Sequence, residues 1–221
     1  MPRRLLVPAI STLVMLVILI SLGIWQLERR AWKLALLGQI DTAEHHPAIP
    51  MPAAPLPFQK VRLEGRLRTD LQASYGFDVR DGRPGTQLIV PMERDGQPTV
   101  LVDLGFLPDA APHPFPMEPQ AVEGFIRPAE HAGMFSGTDS PAQRRFYTLD
   151  PAVIGASLGE TNVAPYTLIV LGPVLAGQMP EPSHAMPRPP NDHLNYAFTW
   201  FGFAVTLSVI FFLYARKSRR S

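Results

Sequence analysis

The sequence predicts a membrane protein in which two transmembrane helices flank a small mainly-β (α+β) extramembrane domain. Three observations carry this. Leu5–Leu27 and Leu194–Tyr214 contain no charged residue. At 1.5 Å per residue each makes a helix of roughly 30–35 Å, enough to cross a hydrocarbon core of about 30 Å. Between them lie short runs that alternate apolar and polar residues with the period of a strand. Charge is divided the same way: all nineteen Asp and Glu lie between the two apolar runs with fourteen of the twenty Lys and Arg, a net of −5.

The first apolar run could be a cleaved leader, with Ser21-Leu22-Gly23 as a small-residue cleavage site. A signal-peptide apolar region is only about 7–15 residues, however, and a leader leaves the second run unexplained. Arg3-Arg4 ahead of the span are ordinary topology markers rather than a twin-arginine signal. Arg3, Arg4, Arg216, Lys217, Arg219 and Arg220 lie outside the hairpin with no acid among them. The positive-inside rule then puts both termini in the cytoplasm. Arg29, Arg30 and Lys33 argue the other way, and the four C-terminal basic residues, opposed by Arg188 alone, outweigh them. With no presequence rich in Arg and Ser ahead of the first span, the expected location is a bacterial inner membrane with the domain in the periplasm.

After the first span the helix is expected to continue from Glu28 to Lys33. Pro47, Pro50, Pro52, Pro55 and Pro57 then mark an extended connector, because proline fixes φ and donates no backbone hydrogen bond. Strands are predicted over Phe58–Arg68, Thr86–Met92, Thr99–Phe106, Ala121–Ile126, Arg145–Leu149 and Tyr166–Leu171, with Asp95-Gly96 as a hairpin turn. Asp150-Pro151 reads as a cap and first-turn proline opening a short helix to about Leu158. Thr167–Gly177 is apolar but, with Pro173 inside it, too short to span, and is expected to be a buried strand and turn. Pro180–Pro190 is a second connector. The chain thus divides into a cytoplasmic N-terminus (1–4), a first span (5–27), a helix extension and connector (28–57), a mainly-β domain (58–177), a connector (178–193), a second span (194–214) and a basic tail (215–221).

The composition excludes several functions. There is no cysteine, so an exported domain has no disulfide, no Cys-based copper site and no c-type haem attachment. No basic-aromatic patch marks a nucleic-acid surface. Gly155-Ala156-Ser157-Leu158-Gly159 matches the G-x-S-x-G nucleophile elbow as a string. The elbow needs a strand before the Ser and a helix after it, and here the helix precedes Ser157. His45, His46, His113, His131 and His184 fall in loops without the i, i+4 spacing of a helical metal pair.

His193 is placed differently. It opens the second span, and Tyr196, Trp200 and Phe203 follow at i+3, i+7 and i+10, on one helix face. Imidazole can ligate haem iron and flat aromatic rings can line a macrocycle; the same residue types also gather at membrane interfaces as anchors. Trp25, Gln26 and Arg29 end the first span at the matching depth, where a polar side chain packs on a partner, marks a site or snorkels to the surface.

Three blocks in matching order along the whole chain carry a family resemblance. Gly23-Ile24-Trp25-Gln26-Leu27-Glu28-Arg29 with Trp32-Lys33 looks like a G-x-W-Q-x-x-R signature. Gly85, Pro91, Val100–Pro108 and Val122–Arg127 form the second block. Asn191-Asp192-His193-Leu194-Asn195-Tyr196-Ala197-Phe198-Thr199-Trp200-Phe201 is similar to N-x-H-x-x-Y-A-x-x-W-F. Together they resemble the Surfeit locus protein 1 family, assembly factors for the haem-copper terminal oxidases. One departure stands in the second block: Asp103-Leu104-Gly105-Phe106 replaces V-N-R-G-W-V-P and loses its basic residue.

The resemblance implies a non-enzymatic role, presenting haem a to subunit I of cytochrome c oxidase alongside other oxidase assembly factors. The family's proposed haem ligand maps onto His193, with Trp200 as its aromatic neighbour. Tyr196, Trp25, Gln26 and Arg29 complete the expected cofactor-binding set. The isoprenoid tail of haem a belongs in the lipid bilayer, and its propionates could meet Arg29 or Lys33. A haem-free scaffold for oxidase subunits is the alternative. A membrane-anchored enzyme would need a catalytic constellation that the sequence lacks beyond the discounted Ser157.

Overall fold

The computed structural model describes residues 5–109, 119–134, 136–173 and 179–218. Arg3, Arg4, Arg219 and Arg220, His113, and the end of the apolar stretch 167–177 lie outside the described residues. The chain forms two compact units, Met1–Gln39 with Arg188–Ser221, and Ile40–Pro187.

Helix α1 runs over Leu6–His45, forty residues, well past the expected end at Lys33. Ala31, Leu34, Ala35, Leu36 and Leu37 are strong helix formers and no proline intervenes before Pro47. Steric crowding disfavours helical backbone at the residue ahead of Pro47. His45 and His46, expected in the connector, instead terminate the helix: their Nδ1 atoms lie 2.7 Å from Asp41 O and 2.6 Å from Thr42 O. They satisfy carbonyls that a helix end leaves orphaned.

The strands follow in order: β1 (Ile49–Pro50), β2 (Lys60–Leu67), β3 (Ala73–Arg80), β4 (Arg83–Arg94), β5 (Gln97–Pro108), β6 (Pro119–Pro128) and β7 (Arg145–Phe146). Helix α2 (Pro151–Leu158), strand β8 (Val163–Val170) and helix α3 (His193–Ser218) follow, with a short 3-10 turn at Pro141–Gln143 ahead of β7. The sheet order is β1-β2-β6-β8-β5-β4-β3-β7, and β2 also pairs with β4. That extra pairing, Arg66 with Glu93 and Leu67 with Met92, closes β2, β6, β8, β5 and β4 into a small barrel. Its interior is filled by Val61, Leu63, Val90, Met92, Val100, Val102, Ile126 and Leu168. Two long apolar helices therefore flank a small domain built on a β-barrel, a membrane-anchored architecture.

The alternation expected for half-buried strands is modified because both faces of β4, β5 and β8 are covered. Ile89, Asp103 and Ile169 are in register on the outer face and all are buried. Helix α2 lies over β8: a Cβ at Gly155 would come within 2.5 Å of Val163 Cγ2. The cap expected at Asp150 is formed, its carboxylate accepting from Ala152 N and Val153 N at 3.0 and 3.4 Å. Ser157 lies within α2 and its Oγ donates to Ile154 O at 2.6 Å, so it is no nucleophile elbow.

β5 carries a bulge. Leu88 faces Gly105 and Ile89 faces Asp103, so Leu104 is the extra residue. Gly105 has φ +116° and its N–H donates to Asp103 Oδ1 at 2.9 Å. Burial pushes the Asp103 carboxyl up to about 7 from its ordinary 3.8, against the pull of that N–H and of Arg127 and Arg80.

Three strand expectations need correction. β3 has no counterpart among the predicted strands, because Gly76 and Asp78 break its alternation; the structure absorbs them in an irregularity between Tyr75 and Asp78. β1 sits inside the proline-rich connector, where Met51 N donates to Arg62 O at 3.0 Å. The strand expected over Arg145–Leu149 stops at Phe146, because side chains take over its backbone donors. Asp139 accepts from Tyr147 N (2.6 Å) and Thr148 N (3.2 Å), and Glu130 from Leu149 N (3.3 Å). β8, for its part, begins earlier than Tyr166, passing Pro165 at a register shift of the β5–β8 pair, where a missing N–H costs little.

Candidate cofactor site on the helix pair

The unit formed by Met1–Gln39 and Arg188–Ser221 contains every residue expected to bind a cofactor. On α1, Leu19, Gly23 and Gln26 are buried, and on α3 Ala197 and Ala204 are. The spacings, three or four residues on α1 and seven on α3, mark one face of each helix. A Cβ on Gly23 would lie 2.5 Å from Phe201 Cε1, so the glycine admits the ring. Small residues at such a seam let membrane helices approach closely.

His193 is the first residue of α3. Asp192 precedes it as the capping position, its carbonyl accepting from Tyr196 N at 3.3 Å. The ring reaches across to α1: His193 Nδ1 and Gln26 Oε1 are 2.7 Å apart. Gln26 is only 9% exposed. The two side chains, with Pro190, Asp192 and Tyr196, line a cleft of about 240 Å³. That is below the roughly 300–1,000 Å³ of pockets that enclose a ligand.

The expected set is only partly brought together. Gln26, His193 and Tyr196 share the cleft. Trp200 is half-buried and stands edge-on to Phe203, ring centroids 6.2 Å apart, so the two belong to one aromatic cluster on α3. The Trp200 Nε1 atom is buried with no hydrogen-bond partner among the described residues. Trp25 does not line the cleft and is 49% exposed. Arg29 is turned to its own helix, its guanidinium carbon 4.7 Å from the Trp32 ring centroid. Pro190 and Asp192 were not anticipated as lining residues. The helix-capping pattern of Asp192 immediately before an apolar run was the signal available for it.

The comparisons with known proteins bear on the whole chain. The profile of the SURF1 family matches residues 13–205. The chain is 27% identical to the SURF1-like protein of Rickettsia bellii (strain RML369-C), over 94% of this chain and 90% of that one. It is 26% identical to the SURF1-like protein of Rickettsia felis (strain ATCC VR-1525 / URRWXCal2), over 93% and 95%. With Surfeit locus protein 1 of Homo sapiens the identity is 25%, over 87% of this chain and 72% of the human one. The matched span takes in α1 from Leu13, the entire barrel and the first half of α3, and so includes both halves of the Gln26–His193 contact. The chain belongs to the SURF1 family.

Proposed function

We propose that this protein is a non-enzymatic assembly factor for a haem-copper terminal oxidase, which binds haem a through His193 and presents it to oxidase subunit I. The observation that supports the reading most is the His193–Gln26 contact. It engages Nδ1, and Nε2 is then the nitrogen left to ligate iron. The donor set suits haem: an imidazole at the end of a membrane span, beside a cleft open on one side. Bound haem a would supply an iron and a conjugated macrocycle for His193 and the Tyr196 and Trp200 faces to hold. Its apolar tail would lie against the apolar surface of α3, where the exposed Phe203 stands beside Trp200. Its propionates would meet the cations of Arg29 and Lys33, on the turns of α1 that follow Gln26, once Arg29 leaves the Trp32 ring. A single histidine donor and a shallow cleft would hold cargo less firmly than a closed cage, as transfer requires. In this reading the termini are cytoplasmic and the barrel is in the periplasm of a bacterial inner membrane.

The alternative, a haem-free scaffold, draws on a different observation. Among the described residues, pairing with β7 covers only Ser74 and Tyr75 of β3. Phe77 and Val79 beyond it are 60% and 53% exposed, next to a strand edge that a client protein could extend. Deleting the gene separates the two readings. Haem a per subunit I in the deletion strain should fall together with oxidase activity, while oxidases without haem a persist. A normal ratio at low subunit abundance would favour the scaffold, and an unchanged oxidase would sink both.

A further inference from the structure

We propose that Gln26 is a positioning residue: its Oε1 accepts the Nδ1–H of His193 and so selects the ring tautomer whose Nε2 lone pair is open to iron. This inference rests on the haem-binding reading above and assigns Gln26 a role that acts through His193 rather than by touching the macrocycle.

Four features of the site lead there. The contact, at 2.7 Å, joins two helices and 167 positions of sequence, so it forms only in the folded hairpin. Gln26 is nearly buried in the seam, one turn from the Gly23–Phe201 contact, so packing holds the amide in place. His193 is the first residue of α3 and lacks a preceding helical turn to orient its ring. The hydrogen bond that its ring makes is to the other helix, at Gln26 Oε1. Finally, the site sits at the end of an apolar span, where water competes poorly for a hydrogen bond and the bond is correspondingly stronger.

The identity of the acceptor matters as well as its place. A metal-bound histidine takes its orientation and basicity from the group that accepts its other ring proton. A carboxylate there would give the imidazole more anionic character and strengthen its hold on ferric iron. A neutral amide fixes the tautomer without that added basicity. Glutamine is thus the acceptor suited to a ligand that must later let go.

The test uses the full-length protein in lipid nanodiscs, titrated with haem a and read by Soret absorbance, electron paramagnetic resonance and the reduction potential of the bound haem. Gln26→Met keeps the length and removes the acceptor, and should weaken binding by roughly 10–100-fold. Gln26→Glu keeps an acceptor, so it should retain binding, lower the reduction potential and slow release to apo-acceptor. Gln26→Glu as weak as Gln26→Met would overturn the proposal, because the amide would then be acting as a donor. Wild-type binding and potential in Gln26→Met, with haem lost in His193→Ala, would overturn it while leaving the haem-binding reading intact. Undiminished binding in His193→Ala would overturn both. If Gln26→Met fails to accumulate, the potential of Gln26→Glu decides alone, and an unshifted value counts against the proposal.

Discussion

The most unusual single residue is Asp103, a carboxyl buried on the outer face of the barrel whose pKa burial raises to about 7. It is kept there by a backbone duty, accepting the N–H of Gly105 at the β5 bulge. The pKa is higher in the folded chain than in the unfolded one, so the folded state holds the proton through the window from about 4 to 7. Stability from this group is fully present below the unfolded value and is lost as the pH rises through 7. Asp103→Asn keeps an acceptor for Gly105 and removes the charge. Its advantage over the parent should grow from pH 4 to pH 7 and level off above, reaching on the order of 2–4 kcal/mol. Hydrogen exchange at the β4 and β5 amides of the full-length protein in detergent would measure it. A difference independent of pH would show that Asp103 does not titrate in this range.

At the scale of elements, the helix pair depends on Gly23. Gly23→Val would force branched carbons onto Phe201, and overpacking of this kind costs about 1–3 kcal/mol. Insertion should be unaffected, since each span remains apolar. The thermal transition of the helical signal should fall, and the His193–Gln26 contact should loosen with it. An unchanged transition would mean that the seam is not the source of the pairing. Much of this element level was legible in the sequence. Both spans, the Asp150 cap and the cores of β2, β4, β5, β6 and β8 follow from apolar period and turn residues. What could not be read depends on partners distant in sequence. β3 is held by β4 despite its broken alternation, and the strand expected at Arg145–Leu149 is cut short by carboxylates from Asp139 and Glu130. The site was half legible for the same reason. Helical periodicity put His193, Tyr196 and Trp200 on one face and put Gln26 at a similar depth. Only the packed hairpin reveals that His193 meets Gln26, and that Trp25 and Arg29 stand outside the cleft.

At the scale of the molecule, charge asymmetry sets the expected orientation. Six basic residues lie outside the hairpin and a net of −5 lies within it. Alkaline phosphatase fused in the loop after β6, near Ala132, should be active, and the same enzyme fused after Ser221 inactive. The opposite pattern would invert the topology and put the His193 cleft on the cytoplasmic face.

The three tryptophans, Trp25, Trp32 and Trp200, all lie in α1 and α3, and the barrel contains none. Indole emission from this protein is therefore a signal of the membrane unit alone, silent about barrel unfolding. A haem seated against α3 is a strong acceptor of excitation energy from indole, so loading would darken the emission and hand-off would restore it. On the proposed haem-binding function, the chain would carry its own optical gauge of occupancy, able to follow cargo departure in real time without a label.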